Sequence, residues 1–165
     1  MVMGMAHFIV ALHVIAAILL IGPVAIATSL YAPLFRKAQS GDASQLGALQ
    51  LVTRLTRTYG FISLLVPVLG LIAMFTVDGA AKEGQFHAAL VLSIVAWGLL
   101  VALVIPRQRV GLVALNAVPN GDAPASAKEV DKAKGSDVSK IPGQAAMFGG
   151  IFNLLWLITA ILMFF

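Results

Sequence analysis

Three histidines are the side chains in this sequence whose chemistry could go beyond packing, and His13 is the most informative of them. It lies inside a long apolar run, where an ionisable side chain is costly and usually turns inward to find a partner. Three interpretations stay open at this point. The ring is hydrogen-bonded to a backbone carbonyl or to Asn153, it holds a haem iron, or side chains near the N-terminus bind copper.

The haem interpretation predicts two cofactor-binding residues, His13 and His87. Haem iron is held by axial imidazole, and a bundle of four membrane helices can enclose a porphyrin. His87 begins the third apolar run, on the same predicted side of the membrane as His13, so the two rings could share a depth. His7 does not join them, because a separation of six residues from His13 turns about 240° around a helix.

The copper interpretation uses residues closer to the N-terminus. Met3 and Met5 belong to an M-x-M-x-M run beside His7, and thioether and imidazole ligands suit Cu(I). The sequence has no cysteine, which excludes disulfides, thiolate metal sites and iron-sulfur clusters. Met3, Met5 and His7 are therefore the predicted metal ligands of this alternative.

The composition assigns the chain to a membrane. Its 165 residues are 60% hydrophobic and 11% charged, whereas a soluble domain has roughly 25% charged residues. A helix needs about 20 apolar residues to cross a bilayer core. Four segments meet that requirement almost without charge, at 6–30, 59–77, 86–105 and 147–165. The predicted fold class is therefore all-α, a four-helix integral membrane bundle formed by one domain, residues 1–165.

The basic residues lie between these segments and predict an orientation. The first and third loops carry most of them, whereas the second loop carries only Lys82. The positive-inside rule then places both termini outside the cytoplasm, N-out/C-out. The first loop should form an amphipathic helix on the membrane surface that continues into the second span. Residues 116–142 are rich in proline, glycine and balanced charge, which predicts a disordered cytoplasmic linker.

Conventional enzyme motifs are scarce in the sequence. The four apolar segments contain no Asp or Glu, which excludes an embedded carboxylate pair for acid and base catalysis. No H-E-x-x-H, G-x-S-x-G, phosphate-loop or dinucleotide-binding pattern occurs. The basic residues form no basic face on a folded domain, so nucleic acid is not a predicted partner. The expected partners are the lipid bilayer and either a second copy of the chain or another membrane protein.

Three short segments resemble a superfamily of small bacterial membrane proteins. LHVIAAILLIGPVA, which contains His13, looks like the opening helix of that group. RLTRTYGFISLLVPVLGL, which contains Arg54 and Arg57, is similar to the start of the second helix in the HemJ-type protoporphyrinogen oxidases. FHAALVL places His87 near the start of the third span. The superfamily also contains CopD-like copper-resistance proteins and uncharacterised families, and this chain most resembles the uncharacterised four-span members.

The resemblance implies that His13 is a ligand of haem b, because the HemJ group binds b-type haem through its first-helix histidine. The lysine that this group carries just after the start of its third helix is not found here, where Ala88 and Ala89 follow His87. The resemblance therefore does not carry over the oxidase activity. It implies a multi-pass protein of a bacterial cytoplasmic membrane that binds haem b or supports a redox reaction. Copper handling and a non-enzymatic accessory role in a membrane complex are the alternatives.

Overall fold

The computed structural model describes the backbone of residues 2–164 and the side chains of residues 4–164, and most of this chain is helical. No strand forms within residues 2–164, so the predicted all-α class is confirmed. A π-helical turn at Leu100–Val104 joins the fourth helix to the fifth, and 3-10 turns lie at Ala80–Lys82 and Val138–Lys140. The α-helices are α1 (Val2–Gln39), α2 (Ser44–Ile62), α3 (Leu65–Thr76), α4 (Gly84–Leu99), α5 (Ile105–Ala114), α6 (Ala127–Lys134) and α7 (Ile141–Leu162).

Four helical stretches are long and apolar enough to cross a membrane, which confirms the number predicted from the sequence. Each is longer than its predicted span, and the additional turns all lie at one end of the bundle. We call it the basic end, because the connections there carry most of the arginines and lysines. The opposite end holds the chain termini and residues 77–83. The four stretches are Gly4–Gln39, Ser44–Thr76, Gly84–Ala114 and Val138–Leu162.

These stretches form a bundle in which α1 and α4 occupy opposite corners. Helix α1 packs against α2, α3 and α7, and α4 packs against α3 and α7. Within the described residues α1 and α4 make no substantial contact with each other. The immediate neighbours of a group on α1 are therefore α2, α3 and α7.

The interface between α1 and α7 is built on small residues. Ala145 and Gly149 are both buried in it, and a Cβ atom on Gly149 would lie 3.2 Å from Thr28 Cβ. Asn153 Nδ2 donates a hydrogen bond to Ser29 Oγ at 3.2 Å, so Asn153 bonds across the bundle to Ser29 and His13 bonds Val66. Such close contacts and polar links hold helices together in lipid, where hydrophobicity gives no preference for a neighbouring helix.

The second stretch is broken between α2 and α3, and Pro67 is the cause. Proline has no N–H to donate to the Ser63 carbonyl four residues earlier, and the Val66 amide bonds that carbonyl instead, at 3.0 Å. The distorted turn also leaves the Gly60 carbonyl to other donors. It accepts from Trp97 Nε1 at 3.0 Å and from Ser63 Oγ at 2.7 Å. The break therefore allows the hydrogen bond from Trp97 that links this stretch to α4.

Helix α2 differs from the membrane-surface helix predicted for the first loop. Its apolar stripe includes Leu49 and Val52, which are buried against Tyr31 and Phe35 of α1. Helix α1 extends several turns beyond its predicted span and offers these two large aromatic side chains as a packing surface. The stripe therefore forms a core between two helices, and Arg54 and Arg57 remain exposed on the other side of α2.

The segment 116–142 also differs from the prediction, because the structure folds it against the basic end. Helix α6 begins with a capping box in which Ser126 and Glu129 bond each other's backbone amides. Arg109 of α5 pairs with Glu129 at 3.3 Å, and Ala133 is buried in the same core as Phe35. Local capping and an ion pair from a distant helix hold this segment, although it has almost no large apolar residues.

We expect this folded segment to loosen in acid. The backbone amide of Ser126 lowers the pKa of Glu129, and the Arg109 guanidinium acts in the same direction. A carboxyl whose pKa is lowered by folding contributes stability above its usual pKa and loses that contribution as the pH falls through the lowered value. Removing one cap weakens a helix by about 1 kcal/mol. Glu129→Ala, which removes the carboxylate from the capping box, should therefore lower the hydrogen-exchange protection factors of the α6 amides about fivefold at neutral pH. The difference between the variant and the wild type should shrink as the pH falls below the usual range of a carboxyl group.

The matched control is Asp131→Asn, which removes an exposed carboxylate from the same helix. It should leave the exchange of α6 amides nearly unchanged at neutral pH. Equal acceleration by both substitutions would mean that the charge of the helix, and not the cap, controls its stability.

Candidate functional site

His13 points from α1 towards α3. Its Nδ1 atom lies 3.0 Å from the carbonyl oxygen of Val66. The ring also lies against Gly70, where an added Cβ atom would be 3.0 Å from His13 Cε1. A larger residue at position 70 would therefore displace the ring. The hydrogen bond to a backbone carbonyl, one of the three interpretations of His13, is present.

This hydrogen bond determines which nitrogen of His13 is available. A carbonyl oxygen only accepts, so Nδ1 carries the proton and the lone pair of the neutral ring resides on Nε2. Among the described residues, Nε2 has no hydrogen-bond partner. Histidines that bind a metal through one nitrogen usually donate the other N–H to a carbonyl or carboxylate. The ring is therefore oriented as a metal-binding imidazole would be.

The surroundings of His13 are apolar. Ala16, Val66 and Leu69 form a small buried cluster between α1 and α3, and Trp156 of α7 packs against it. The indole Nε1 of Trp156 is buried and has no partner in the described part of the chain.

His87 does not join His13 in this structure. It is exposed in the first turns of α4, and its Nδ1 atom lies 3.1 Å from the carbonyl oxygen of Glu83 in the preceding turn. Helix α4 stands at the corner of the bundle opposite α1. Equal depth in the membrane, which the sequence suggested, does not bring the two rings onto neighbouring helices.

The predicted copper ligands are also separated. Met5 and His7 are both exposed on α1, and two residues of separation turn about 200° around a helix, so their side chains leave opposite faces. The side chain of Met3 lies outside the described residues. Within the described chain, no group of three or more His, Cys, Asp or Glu residues is close enough to hold a metal ion.

His13 offers haem b one imidazole nitrogen, Nε2. The imidazole has a fixed tautomer, a free Nε2 and an apolar environment, all of which suit a haem ligand. The structure brings no second imidazole to this place. The assignment of His13 as a haem ligand stays a prediction.

A second candidate site is a cleft of about 820 Å³ at the basic end. It lies between α2, the region where the π-turn leads into α5, and the segment before α6. Arg54 and Arg57 line one side of it, and Arg109 lines the other. From the sequence, these arginines indicate an orientation and a membrane-surface helix, but not a cleft. The spacing of Arg54 and Arg57, three residues apart on one helix face, was the signal that could have indicated a site.

The three arginines of this cleft differ in their partners. Arg109 pairs with Asp122 at 3.5 Å and with Glu129 at 3.3 Å, and it donates to the Ala123 carbonyl. Arg54 and Arg57 have no ion pair anywhere in the described residues. The cleft therefore holds three arginines against two carboxylates, and the two arginines without an ion pair lie together on α2.

Comparisons with known proteins do not identify the chain. No protein-family model matches it, and no curated protein or solved structure is significantly similar to it. The resemblance to the CopD-like and HemJ-type superfamily accordingly stays a prediction.

Proposed function

We propose that this chain is a multi-pass protein of a bacterial cytoplasmic membrane that binds haem b, or supports a redox reaction, through His13. The observation that carries the proposal is the hydrogen bond between His13 Nδ1 and the Val66 carbonyl, at 3.0 Å. It leaves Nε2 as the ligand atom and holds the ring in one orientation.

Each residue of this site has a separate task. His13 would hold the haem iron through Nε2, the Val66 carbonyl would keep the proton on Nδ1, and Gly70 would give the ring its space. When bound, haem b supplies one-electron chemistry. The neighbours of His13 are apolar, and burial and hydrogen bonds to the ligand are among the means by which a protein tunes a haem.

We also propose that the basic end lies in the cytoplasm and that both termini lie outside. The basic end carries Arg36, Lys37, Arg54, Arg57 and the basic residues between 107 and 140, whereas the connection at the other end carries only Lys82. This asymmetry is the positive-inside pattern. His13 then lies in the outer half of its span, nearer the N-terminus.

The test is an optical spectrum of the chain purified in mild detergent and titrated with haem b. We expect a Soret band that saturates with one haem per chain. Removing an axial ligand or its support weakens metal binding roughly 10-fold to 100-fold, so His13→Ala should lose most of the band. His87→Ala and His7→Ala are the matched controls, because both remove an exposed imidazole, and both should keep it.

Two results would overturn the haem proposal. If the purified protein is colourless and takes up no haem, the hydrogen bond of His13 serves only to link α1 to α3. An equal loss of the band in all three alanine variants would show that haem adheres to the chain without a defined ligand.

The second candidate is a non-enzymatic accessory or assembly subunit of a membrane complex. The observation that favours it is the same hydrogen bond, because a link from His13 to α3 also stabilises the bundle without any cofactor. In that case His13→Ala lowers the unfolding temperature, and the wild type shows no Soret band. Metal analysis of the purified chain tests the copper alternative at Met3, Met5 and His7 in the same sample.

A further inference from the structure

We propose that the cleft at the basic end binds the phosphate headgroup of an anionic phospholipid, with Arg54 and Arg57 as its ligands. This site is separate from His13 and does not depend on the proposed function. It would make the chain selective for the charge of its lipid neighbours at one defined place.

The charge of the cleft favours an anion. Arg54 and Arg57 both line it and have no acidic partner among the described residues. The acidic residues of the cleft, Asp122 and Glu129, are already paired with Arg109. Two guanidinium groups three residues apart can donate several hydrogen bonds to one phosphate, and arginine matches phosphate geometry particularly well.

Arg109 acts here as a positioning residue. It holds Asp122, the Ala123 carbonyl and Glu129 together, and these groups belong to the wall that faces α2 across the cleft. Because the two carboxylates more than balance its own charge, Arg109 shapes the cleft, and the attraction for an anion comes from Arg54 and Arg57.

The apolar part of the cleft favours a lipid over a soluble phosphate ester. Phe61, Val101 and Ile105 line the side that continues towards the apolar spans, and Phe61 is 50% exposed. Arg54 and Arg57 lie within about 8 Å of Tyr59, where the predicted span begins, at 1.5 Å of rise per residue. A phosphate at the arginines would thus lie at headgroup depth, with its acyl chains beside the apolar wall.

The size of the cleft agrees with this occupant. Its volume is about 820 Å³, which falls in the range of roughly 300–1,000 Å³ that holds a small organic molecule. A free phosphate ion would fill only a small part of it. A headgroup with its glycerol and the first carbons of two chains is a better match.

The test measures the binding of phosphatidylglycerol to the full chain in detergent by native mass spectrometry. Phosphatidylcholine is the neutral comparison, and glycerol 3-phosphate tests whether a soluble ester suffices. We expect Arg54→Gln with Arg57→Gln to weaken phosphatidylglycerol binding at least about tenfold, since one charged hydrogen bond is commonly worth that factor. Arg54→Lys with Arg57→Lys, which keeps the charge but not the planar donor geometry, should show an intermediate loss.

The matched control is Arg36→Gln with Lys37→Gln. This pair lies exposed at the same end of the bundle and does not line the cleft, so it removes equal charge and should change binding less than twofold. Equal losses in the two glutamine pairs would overturn the site in favour of diffuse attraction. Binding of glycerol 3-phosphate as tight as that of the lipid would overturn the lipid assignment, and so would equal binding of phosphatidylcholine.

Discussion

Replacing Gly111 by alanine should unfold the basic end of this protein, or at least lower its stability by roughly 3 kcal/mol. A Cβ atom at position 111 would overlap the hydroxyl of Tyr31, approach Phe35 Cε2 to 2.9 Å and approach Ile141 Cγ2 to 3.2 Å. One methyl group would thus disturb three elements at once, α1, α5 and α7.

The surrounding side chains have no room to yield. Tyr31, Phe35 and Ile141 are each fully buried, at 0% exposure. Tyr31 is also held in place, because its hydroxyl donates a 3.0 Å hydrogen bond to the Gln108 carbonyl and its ring stacks on Phe35. Moving the ring would break a buried hydrogen bond and open a void, and each of these changes is destabilising by itself.

Gly98→Ala is the matched control, because Gly98 lies within α4 and a Cβ atom there has nothing within 4 Å. It should leave stability unchanged or raise it by up to about 1 kcal/mol, since alanine favours helix over glycine. The measurement is thermal unfolding of both variants in the same detergent. Similar unfolding temperatures for the two variants would show that the contact of Gly111 with Tyr31 is looser than the structure has it.

The features that the sequence could predict are those determined by composition and by position along a single helix. Four apolar runs predict four membrane helices whatever the packing between them. An imidazole in an apolar run must find a partner, and His13 found the Val66 carbonyl. Small residues four apart, such as Ala145 and Gly149, indicate a close helix contact wherever the partner helix lies.

The features that the sequence could not predict depend on which helices are neighbours. The sequence predicts a shared depth for His13 and His87, but the order of helices around the bundle places them on helices that are not neighbours. The apolar stripe on α2 suits either a membrane surface or another helix. Tyr31 and Phe35 become its packing partners only because α1 is longer than its predicted span.

Residues 116–142 depend on a contact of the same kind. Their composition is typical of a disordered linker, and no local pattern shows that Arg109, from another helix, pairs with Asp122 and Glu129. The cleft at the basic end arises from that same contact. Arg54 and Arg57 become a candidate site only because the folded segment provides the opposite wall.

Gly149→Leu should separate α1 from α7 and cost about 3 kcal/mol, whereas Gly150→Leu should change stability by no more than about 1 kcal/mol. The two glycines are adjacent in α7, so the pair compares one substitution on two faces of a single helix. At Gly149 an added Cβ would lie 3.2 Å from Thr28 Cβ and 3.5 Å from the Thr28 carbonyl oxygen. At Gly150 nothing lies within 4 Å.

The atoms that oppose Gly149 belong to the backbone and the first side-chain carbon of Thr28, so they cannot rotate out of the way as the end of a long side chain can. A leucine must therefore move one helix bodily, and the nearby hydrogen bond from Asn153 to Ser29, 3.2 Å long, would be lost with the contact. Thermal unfolding in one detergent should show Gly149→Leu about 10 °C below Gly150→Leu. Equal unfolding temperatures would contradict the packing of α1 on α7. Such a result would also weaken the proposal for His13, because the packing of α1 on α7 helps to hold the bundle that orients the His13 ring.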